Sequence, residues 1–281
     1  MTGLEPDLQP RRRFGGGGRL LIALIMAGVA VVSYFGTRQL NPVTNEVQHV
    51  SMTADQEIGM GLQAAPEMEA EYGGLSSDAT ASAKVEQVGE RIVTRSAAGS
   101  TPYKFQFHLL ADPRTVNAFA LPGGQVFITE GLLQQMHSDG ELATVLAHEV
   151  GHVAARHSAQ QLAKSQLTQG LTGAAVIATY DPNDPSSSRN AAVIAAVGQL
   201  VNMKFGRNDE LQADQLGVRF ASDAGYDPRA MIKVMQTLEQ EGGTRAPEFF
   251  STHPNPEHRI ERIQQAIEQK YPNGVPAGLT P

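Results

Sequence analysis

The chain has 281 residues, of which 41% are hydrophobic and 18% are charged, and this composition suits one globular domain with appended segments. Its formal net charge of -7, without a basic patch interleaved with aromatic residues, excludes a general role in binding nucleic acid. Because the chain has no cysteine, it can form neither disulfides nor cysteine–zinc bonds, and a lipoprotein-type acyl anchor is excluded.

The N-terminal region has the pattern of a membrane-insertion signal. Residues 20–35 carry no charged side chain, and with Gly36 and Thr37 they reach the short end of the roughly 17 to 25 residues that span a bilayer. Four arginines lie in the basic tail (residues 1–19) and only Arg38 follows closely, which places that tail in the cytoplasm. We predict an uncleaved single-pass signal anchor at residues 20–37 of the cytoplasmic (inner) membrane, with the rest of the chain in the periplasm. The alternative is a cleaved signal and secretion to the periplasm, but no small-x-small cleavage site follows the segment.

The next part of the chain predicts a spacer followed by helices. Residues 38–52 are rich in turn-forming side chains and poor in large apolar ones, so we predict a linker that holds the domain away from the bilayer. Thr53 and Gln56 form a capping-box pattern that begins a helix. This helix is expected to end near Pro66 or at Gly73-Gly74, and a second helix with one apolar face follows.

Three strands are predicted before the central motif. Residues 103–110 alternate between apolar and polar side chains, which indicates a half-buried strand. His108 lies on its polar side, where a lone histidine is expected at the surface rather than at a metal. Residues 116–121 and 125–129 flank Pro122-Gly123-Gly124, which predicts two further strands joined by a turn.

The central motif is His148-Glu149-Val150-Gly151-His152. On a helix, residues four apart lie one above the other, so the two imidazoles converge and can share one zinc ion. Glu149 flanks the metal, where it can take a proton from water. A capping-box pattern at residues 138–141 begins the helix, and Gly151, which costs a helix about 1 kcal/mol relative to alanine, indicates that another element packs closely against that turn. The pattern is typical of a zinc peptidase.

The composition becomes small and apolar after this helix. Two apolar arms, residues 171–180 and 191–201, are separated by a turn-rich segment, and neither arm is long enough to span a bilayer. A helical hairpin buried in the core and a lid beside the cleft both remain open as interpretations.

A catalytic zinc site needs a third protein ligand. The metzincin pattern requires glycine three residues and histidine six residues after His152, but Ala155 and Ser158 occupy those positions, so that option is excluded. The remaining option is a carboxylate from a later helix, and Glu210 and Asp214 lie one turn apart.

Glu210 would then bind zinc, and Asp214 would accept the other ring proton of a histidine ligand. Gly217 lies on the same face as Glu210 and Asp214. A glycine there would let their helix lie close against the helix of the central motif. Without the upstream motif, two carboxylates on a solvated helix face would be the ordinary interpretation.

These patterns together resemble one family over residues 53–270, the Ste-type zinc metallopeptidases of the gluzincin group. This family contains CAAX prenyl proteases, heat-shock membrane proteases, and periplasmic and mitochondrial quality-control peptidases. The patterns that carry the resemblance are Asn-Ala-Phe-Ala-Leu-Pro-Gly-Gly at residues 117–124, the central motif with Ala155-Arg156-His157, residues 210–214, and Thr252-His253-Pro254 with Arg259-Ile260. One predicted membrane segment distinguishes the chain from the multi-span prenyl proteases, so prenylated substrates are not expected.

The resemblance implies an α+β fold, mainly helical with a small sheet, for a peptidase domain at residues 53–270 that is followed by a tail at residues 271–281. It also implies roles for individual residues. By resemblance, one Zn²⁺ per chain is bound by His148, His152 and Glu210, Glu149 is the general base, Asp214 supports a histidine ligand, and Asn117 and Ala118 hold the substrate backbone.

The implied activity is that of a zinc-dependent endopeptidase that cleaves unfolded or misassembled envelope proteins. Its expected partners are such proteins and, through the N-terminal helix, the membrane. The alternative is a non-catalytic or latent chaperone or scaffold that keeps the fold and the metal. The intact Glu149 favours the enzyme.

His253 has several possible roles. Pro254 and Pro256 keep its segment from being helical, so we predict a loop. A surface histidine is the ordinary interpretation, but the resemblance implies a loop near the zinc. There His253 is either a catalytic donor that stabilises the oxyanion or a fourth ligand that holds the enzyme inactive. We favour the inhibitory role, because a protease that faces its own membrane proteins needs restraint.

Overall fold

The structure is a computed structural model that describes residues 16–179, 205–241, 248–254 and 257–281. The chain divides into two compact units, Met1–Gly36 with Lys164–Asn202, and Thr37–Ala163 with Met203–Pro281. The helices are α1 (Gly16–Gly36), α2 (Ala54–Glu71), α3 (Ala79–Arg95), α4 (Glu130–Leu133), α5 (Asp139–Ala154), α6 (His157–Thr179), α7 (Arg207–Asp223), α8 (Ala230–Glu241), α9 (Phe249–Thr252) and α10 (Arg259–Lys270), with a 3-10 turn at Ala97–Ser100. The strands are β1 (Arg38–Leu40), β2 (Val47–His49), β3 (Gln106–Leu110), β4 (Ala118–Leu121) and β5 (Gln125–Thr129).

The smaller unit contains α1 and the later part of α6. A Cβ on Gly170 would lie 2.5 Å from the Cβ of Ala30, so small residues let these two helices approach closely. Among the described residues, α1 is the one helix long and apolar enough to cross a membrane, and its leucines are largely exposed. These features are consistent with a single-pass membrane protein. The first apolar arm predicted at residues 171–180 continues α6 as far as Thr179, and the second arm lies outside the described residues.

Residues 38–50 differ from the predicted linker. β1 and β2 form an antiparallel hairpin, with Arg38 opposite His49. Asn41 is buried at its turn, where the side-chain Nδ2 donates to the backbone oxygen of Ala154 at 2.9 Å and Oδ1 accepts from the amide of Val43. The turn-forming residues that indicated a spacer therefore build a hairpin that is hydrogen-bonded to the end of α5.

The larger unit contains a three-stranded sheet in the order β3-β5-β4. β5 lies in the centre and is buried throughout, parallel to β3 and antiparallel to β4, so β4 is an edge strand. The strand predicted at residues 103–110 begins only at Gln106. Tyr103, which precedes it, donates to the buried carboxylate of Glu57 at 2.6 Å. His108 stacks on Phe127 and does not belong to the group of possible metal ligands that the described residues form.

The predicted helices form, and the residues at their ends account for where they begin and end. Thr53 and Gln56 make the expected capping box, and α2 passes through Pro66 to end at Glu71, just before Gly73 with a φ of +82°. The mixed α+β architecture with a small sheet, predicted from the resemblance, is confirmed. The core lies around α5, which is buried from Gly140 to Ala154.

Candidate active site

The helix α5 places the two motif histidines on one face. Ser138 caps the helix by accepting from the amide of Glu141, as the sequence predicts. His148 and His152 are both buried, and their Nε2 atoms lie 3.1 Å apart. The one-turn spacing of the motif thus produces the expected convergence of the imidazoles.

The second helix of the site, α7, crosses α5 at close range. A Cβ on Gly217 would lie 3.2 Å from the amide nitrogen of His148, and a Cβ on Gly151 would lie 3.1 Å from the carbonyl oxygen of Ala213. The close packing predicted for both glycines is therefore confirmed. It brings the buried carboxylate of Glu210 to 3.4 Å from His152 Nε2 and 3.6 Å from His148 Nε2.

His253 also lies in this group and not at the surface. Its Nδ1 is 3.2 Å from Glu210 Oε1 and 3.4 Å from His148 Nε2, and its side chain is 1% exposed. The predicted loop contains one helical turn, α9, which ends at Thr252 before the first proline. The ring of Phe249 stacks on His253 with centroids 4.7 Å apart and holds it in place.

The donors of His148, His152, Glu210 and His253 fit one zinc ion. Their ligand atoms all lie within 4.8 Å of one another. Two atoms bound to one tetrahedral zinc are about 3.3 to 3.6 Å apart, and the nitrogen and oxygen separations given above are close to these values. His253 Nε2 is buried and has no hydrogen-bond partner among the described residues.

Asp214 and Arg259 form a buried support beside His148. Asp214 Oδ1 lies 3.0 Å from His148 Nδ1, as expected for a carboxylate that holds a histidine ligand. Arg259 donates to both oxygens of Asp214 at 2.8 Å, and its Nη2 lies 3.2 Å from Glu210 Oε2. Arg259 belongs to the sequence pattern Arg259-Ile260, from which no role for its side chain was predicted. Its spacing of four and eight residues from the buried Ile263 and Ile267 is a further signal in the sequence that it faces inward.

The charges of the site favour a cation. Burial alone would lower the pKa of His148, but contact with Asp214 and Glu210 outweighs it and raises that pKa to about 9. The pKa of Glu210 falls despite its burial, because His148 and His253 stabilise the carboxylate. Among the described residues, the buried carboxyl groups of Glu149, Glu210 and Asp214 lie around the guanidinium of Arg259, and a divalent cation would balance their remaining charge.

Glu149 lies buried beside His253 in this group. It is fully buried, which raises the pKa of its carboxyl group above the ordinary value. Neither of its oxygens makes a hydrogen bond among the described residues, and Oε1 lies 3.6 Å from His253 Nε2. The carboxylate is therefore not committed to a structural contact.

Asn117 and Ala118 lie at the start of the edge strand β4. The backbone amide and carbonyl of Asn117 are both bonded to Thr129, and its side-chain Nδ2 donates to Tyr72 and Glu248. Ala118 is fully buried. Asn117 is therefore hydrogen-bonded within the protein and Ala118 is packed inside it. Contact of either residue with substrate stays a prediction.

Comparison with known proteins agrees with this geometry. Residues 79–267 match the family model described as peptidase family M48. Over 251 residues the chain is 33% identical to mitochondrial metalloendopeptidase OMA1 of Schizosaccharomyces pombe, covering 88% of the chain and 71% of that protein. Over 261 residues it is 28% identical to the beta-barrel assembly-enhancing protease of Yersinia pestis, covering 90% of the chain and 52% of that protein. The chain thus spans about half the length of the second relative.

The predicted resemblance is confirmed by this match, which covers most of the larger unit and includes both histidines of the motif, Glu210 and His253. The predicted cofactor is confirmed as well, since the family uses zinc and the buried group can hold one metal ion. The chain belongs to peptidase family M48 and is a zinc metallopeptidase of the gluzincin type.

Proposed function

We propose that the chain is an endopeptidase in which His148, His152 and Glu210 bind zinc and Glu149 is the general base. The observation that carries this proposal is the convergence of the three ligands beside a buried glutamate that makes no hydrogen bond among the described residues. When bound, zinc supplies a Lewis acid that polarises a peptide carbonyl and lowers the pKa of water to about 7. Glu149 takes the proton of the attacking water and returns it to the leaving amine. Asp214, held by Arg259, orients His148.

The substrate is proposed to lie along β4. A small cleft lies where this strand and its turn meet the end of α5, and its wall includes Ala120, Leu121 and the metal-site residue His152. An extended peptide could add to the edge of β4 there, so that backbone contacts give affinity with little demand on side chains. In this arrangement Asn117 and Ala118 begin the strand that holds the substrate.

Unfolded or misassembled envelope proteins are the proposed substrates. One relative is named for enhancing assembly of β-barrels, and edge-strand binding suits a chain that has exposed its backbone. The second candidate, a latent or non-catalytic scaffold, is favoured by one observation: His253 lies within ligand distance of the other donors.

The experiment that separates these functions uses the full-length chain in detergent with casein as an unfolded substrate. Cleavage within the casein chain is expected, is lost after zinc removal by a chelator, and returns on addition of zinc. If the zinc-loaded wild type and the His253→Ala variant both fail to cleave, the scaffold is the better proposal.

We propose that His253 restrains the enzyme as a fourth ligand. His253→Ala is then expected to raise basal cleavage of casein, because it opens the coordination position that substrate needs. The matched control is His258→Ala, an exposed histidine paired with Glu261, which should leave cleavage unchanged. Addition of Glu149→Gln to His253→Ala should abolish the raised activity.

Two other results with His253→Ala would contradict the proposed restraint. A fall of about 10²-fold or more would contradict restraint and assign His253 to oxyanion stabilisation. No change would contradict both roles, although the residue is buried beside the site.

We propose that residues 20–37 are an uncleaved anchor, that residues 1–19 are cytoplasmic, and that the peptidase domain (residues 53–270) faces the periplasm. The chain is then expected to remain in the membrane fraction after high-salt and carbonate washes, because the anchor is apolar and not merely basic. A protease added to intact spheroplasts should digest the domain. A mature N-terminus beyond Thr37 would contradict the anchor.

A further inference from the structure

The metal-site histidine His152 has a buried partner to which neither the sequence motif nor the proposed mechanism assigns a role. His157, the first residue of α6, is 1% exposed, and its Nδ1 lies 2.9 Å from His152 Nδ1. Its other ring nitrogen, Nε2, lies 2.9 Å from Gln212 Oε1. The amide nitrogen of Gln212 in turn donates to Glu46 Oε2 at 2.7 Å. A continuous series of hydrogen bonds therefore runs from an exposed carboxylate to His152.

Hydrogen-bond chemistry gives this series one direction when His152 binds a metal. A neutral imidazole that uses Nε2 as a ligand carries its proton on Nδ1, so His152 must donate through that atom. His157 Nδ1 must then accept, which leaves the proton of a neutral His157 on Nε2. That proton is donated to Gln212 Oε1, and the amide group of Gln212 donates to the carboxylate of Glu46. In this direction each donor in the series faces an acceptor.

The reverse direction conflicts with metal binding. If His157 Nδ1 donated to His152, then His152 Nδ1 would be the acceptor and its proton would lie on Nε2, the atom that faces Glu210 and His148. In that tautomer His157 Nε2 carries no proton and must accept, so the Gln212 amide would have to flip and point its oxygen at the carboxylate of Glu46. Glu46 therefore sets the orientation of Gln212, and Gln212 sets the tautomer of His157.

We propose that His157 is a positioning residue that accepts the Nδ1 proton of His152 and thereby holds His152 in the tautomer whose Nε2 binds zinc, with Gln212 and Glu46 fixing His157. This inference rests on the proposed function, in which His152 is a ligand. The two motif histidines then have different supports. His148 faces the carboxylate of Asp214, whereas His152 faces a neutral imidazole. A carboxylate partner makes a histidine ligand more basic, so His157 supplies orientation with less added charge.

The test measures zinc affinity of the full-length chain in detergent by competition with a chromophoric chelator. His157→Leu removes the acceptor and is expected to weaken zinc binding by about 10- to 100-fold. His157→Asn keeps an acceptor oxygen near the place of Nδ1 and should retain most of the affinity. Gln212→Met, one step further from the metal, should have a smaller effect than His157→Leu. Gln160→Leu is the control, since Gln160 lies one turn along α6 and bonds to Ala155 and Gln48 outside the series.

A second readout responds to the tautomer and not to stability. In the zinc-bound protein with ¹⁵N-labelled histidine, NMR should show a protonated Nδ1 on His152 and a protonated Nε2 on His157. A proton on His157 Nδ1, or unchanged zinc affinity in His157→Leu, would overturn the inference. If His152→Ala lowers zinc affinity while His157→Leu does not, only this inference fails. If His152→Ala has no effect on zinc binding, the proposed function fails with it.

Discussion

Replacement of Glu149 by glutamine is expected to leave zinc bound and to lower the rate of peptide cleavage by at least about 10²-fold. The amide has nearly the shape of the carboxylate, but it does not take a proton from water at neutral pH. Because neither oxygen of Glu149 makes a hydrogen bond among the described residues, the change breaks no such contact within the site. Casein cleavage, zinc content and Tm are to be measured on the same preparations.

The matched control for this variant is Glu141→Gln on the same helix. Glu141 is also buried, but its carboxylate accepts from the amide of His137 at the start of α5, two turns before the motif. This control is expected to retain full activity with at most a small loss of Tm. Equal cleavage by wild type and Glu149→Gln would contradict the general-base role.

Glu210→Ala is expected to lower zinc affinity and zinc-dependent stability together. Glu210 comes from α7, whereas the two histidines come from α5, so metal bound to all three joins the two helices that form the centre of the core. Ligand binding to the folded state adds about 2.7 kcal/mol at a free ligand concentration of 100 Kd. The wild-type Tm should therefore rise with added zinc, and the rise should be much smaller in the variant.

Asp209→Ala is the control for this prediction. Asp209 precedes Glu210, and its Oδ2 accepts from the amide of Gly206 at the start of α7. Loss of this contact at the start of α7 should lower Tm slightly, while zinc affinity is retained. If Glu210→Ala still binds one zinc per chain with wild-type affinity, Glu210 is not the third ligand.

The parts of the site that could be predicted were local ones. The spacing of His148 and His152, the cap at Ser138 and the tight packing at Gly151 follow from helix geometry within a few turns. The pairing of Glu210 with Asp214 follows from the same rule on a second helix. Residues 38–50 form a hairpin where a spacer is predicted, because turn-forming residues occur in spacers and in hairpins alike. Only contacts such as that of Asn41 with Ala154 distinguish the two.

The sequence by itself determined the metal-binding helix, its glutamate and the apolar segment at the N-terminus, because each depends on residue types at short spacing. It also determined the family, because several such local patterns follow one another in the right order. The tertiary structure decided the rest. It brought His253 to His148 across 105 residues, and it placed the guanidinium of Arg259 on Asp214 across 45. It also placed His157 between His152 and Gln212, and Gln212 beside Glu46. The physical reason is that a loop or a partner imidazole takes its position from the packing of distant elements, which no local pattern of side chains specifies.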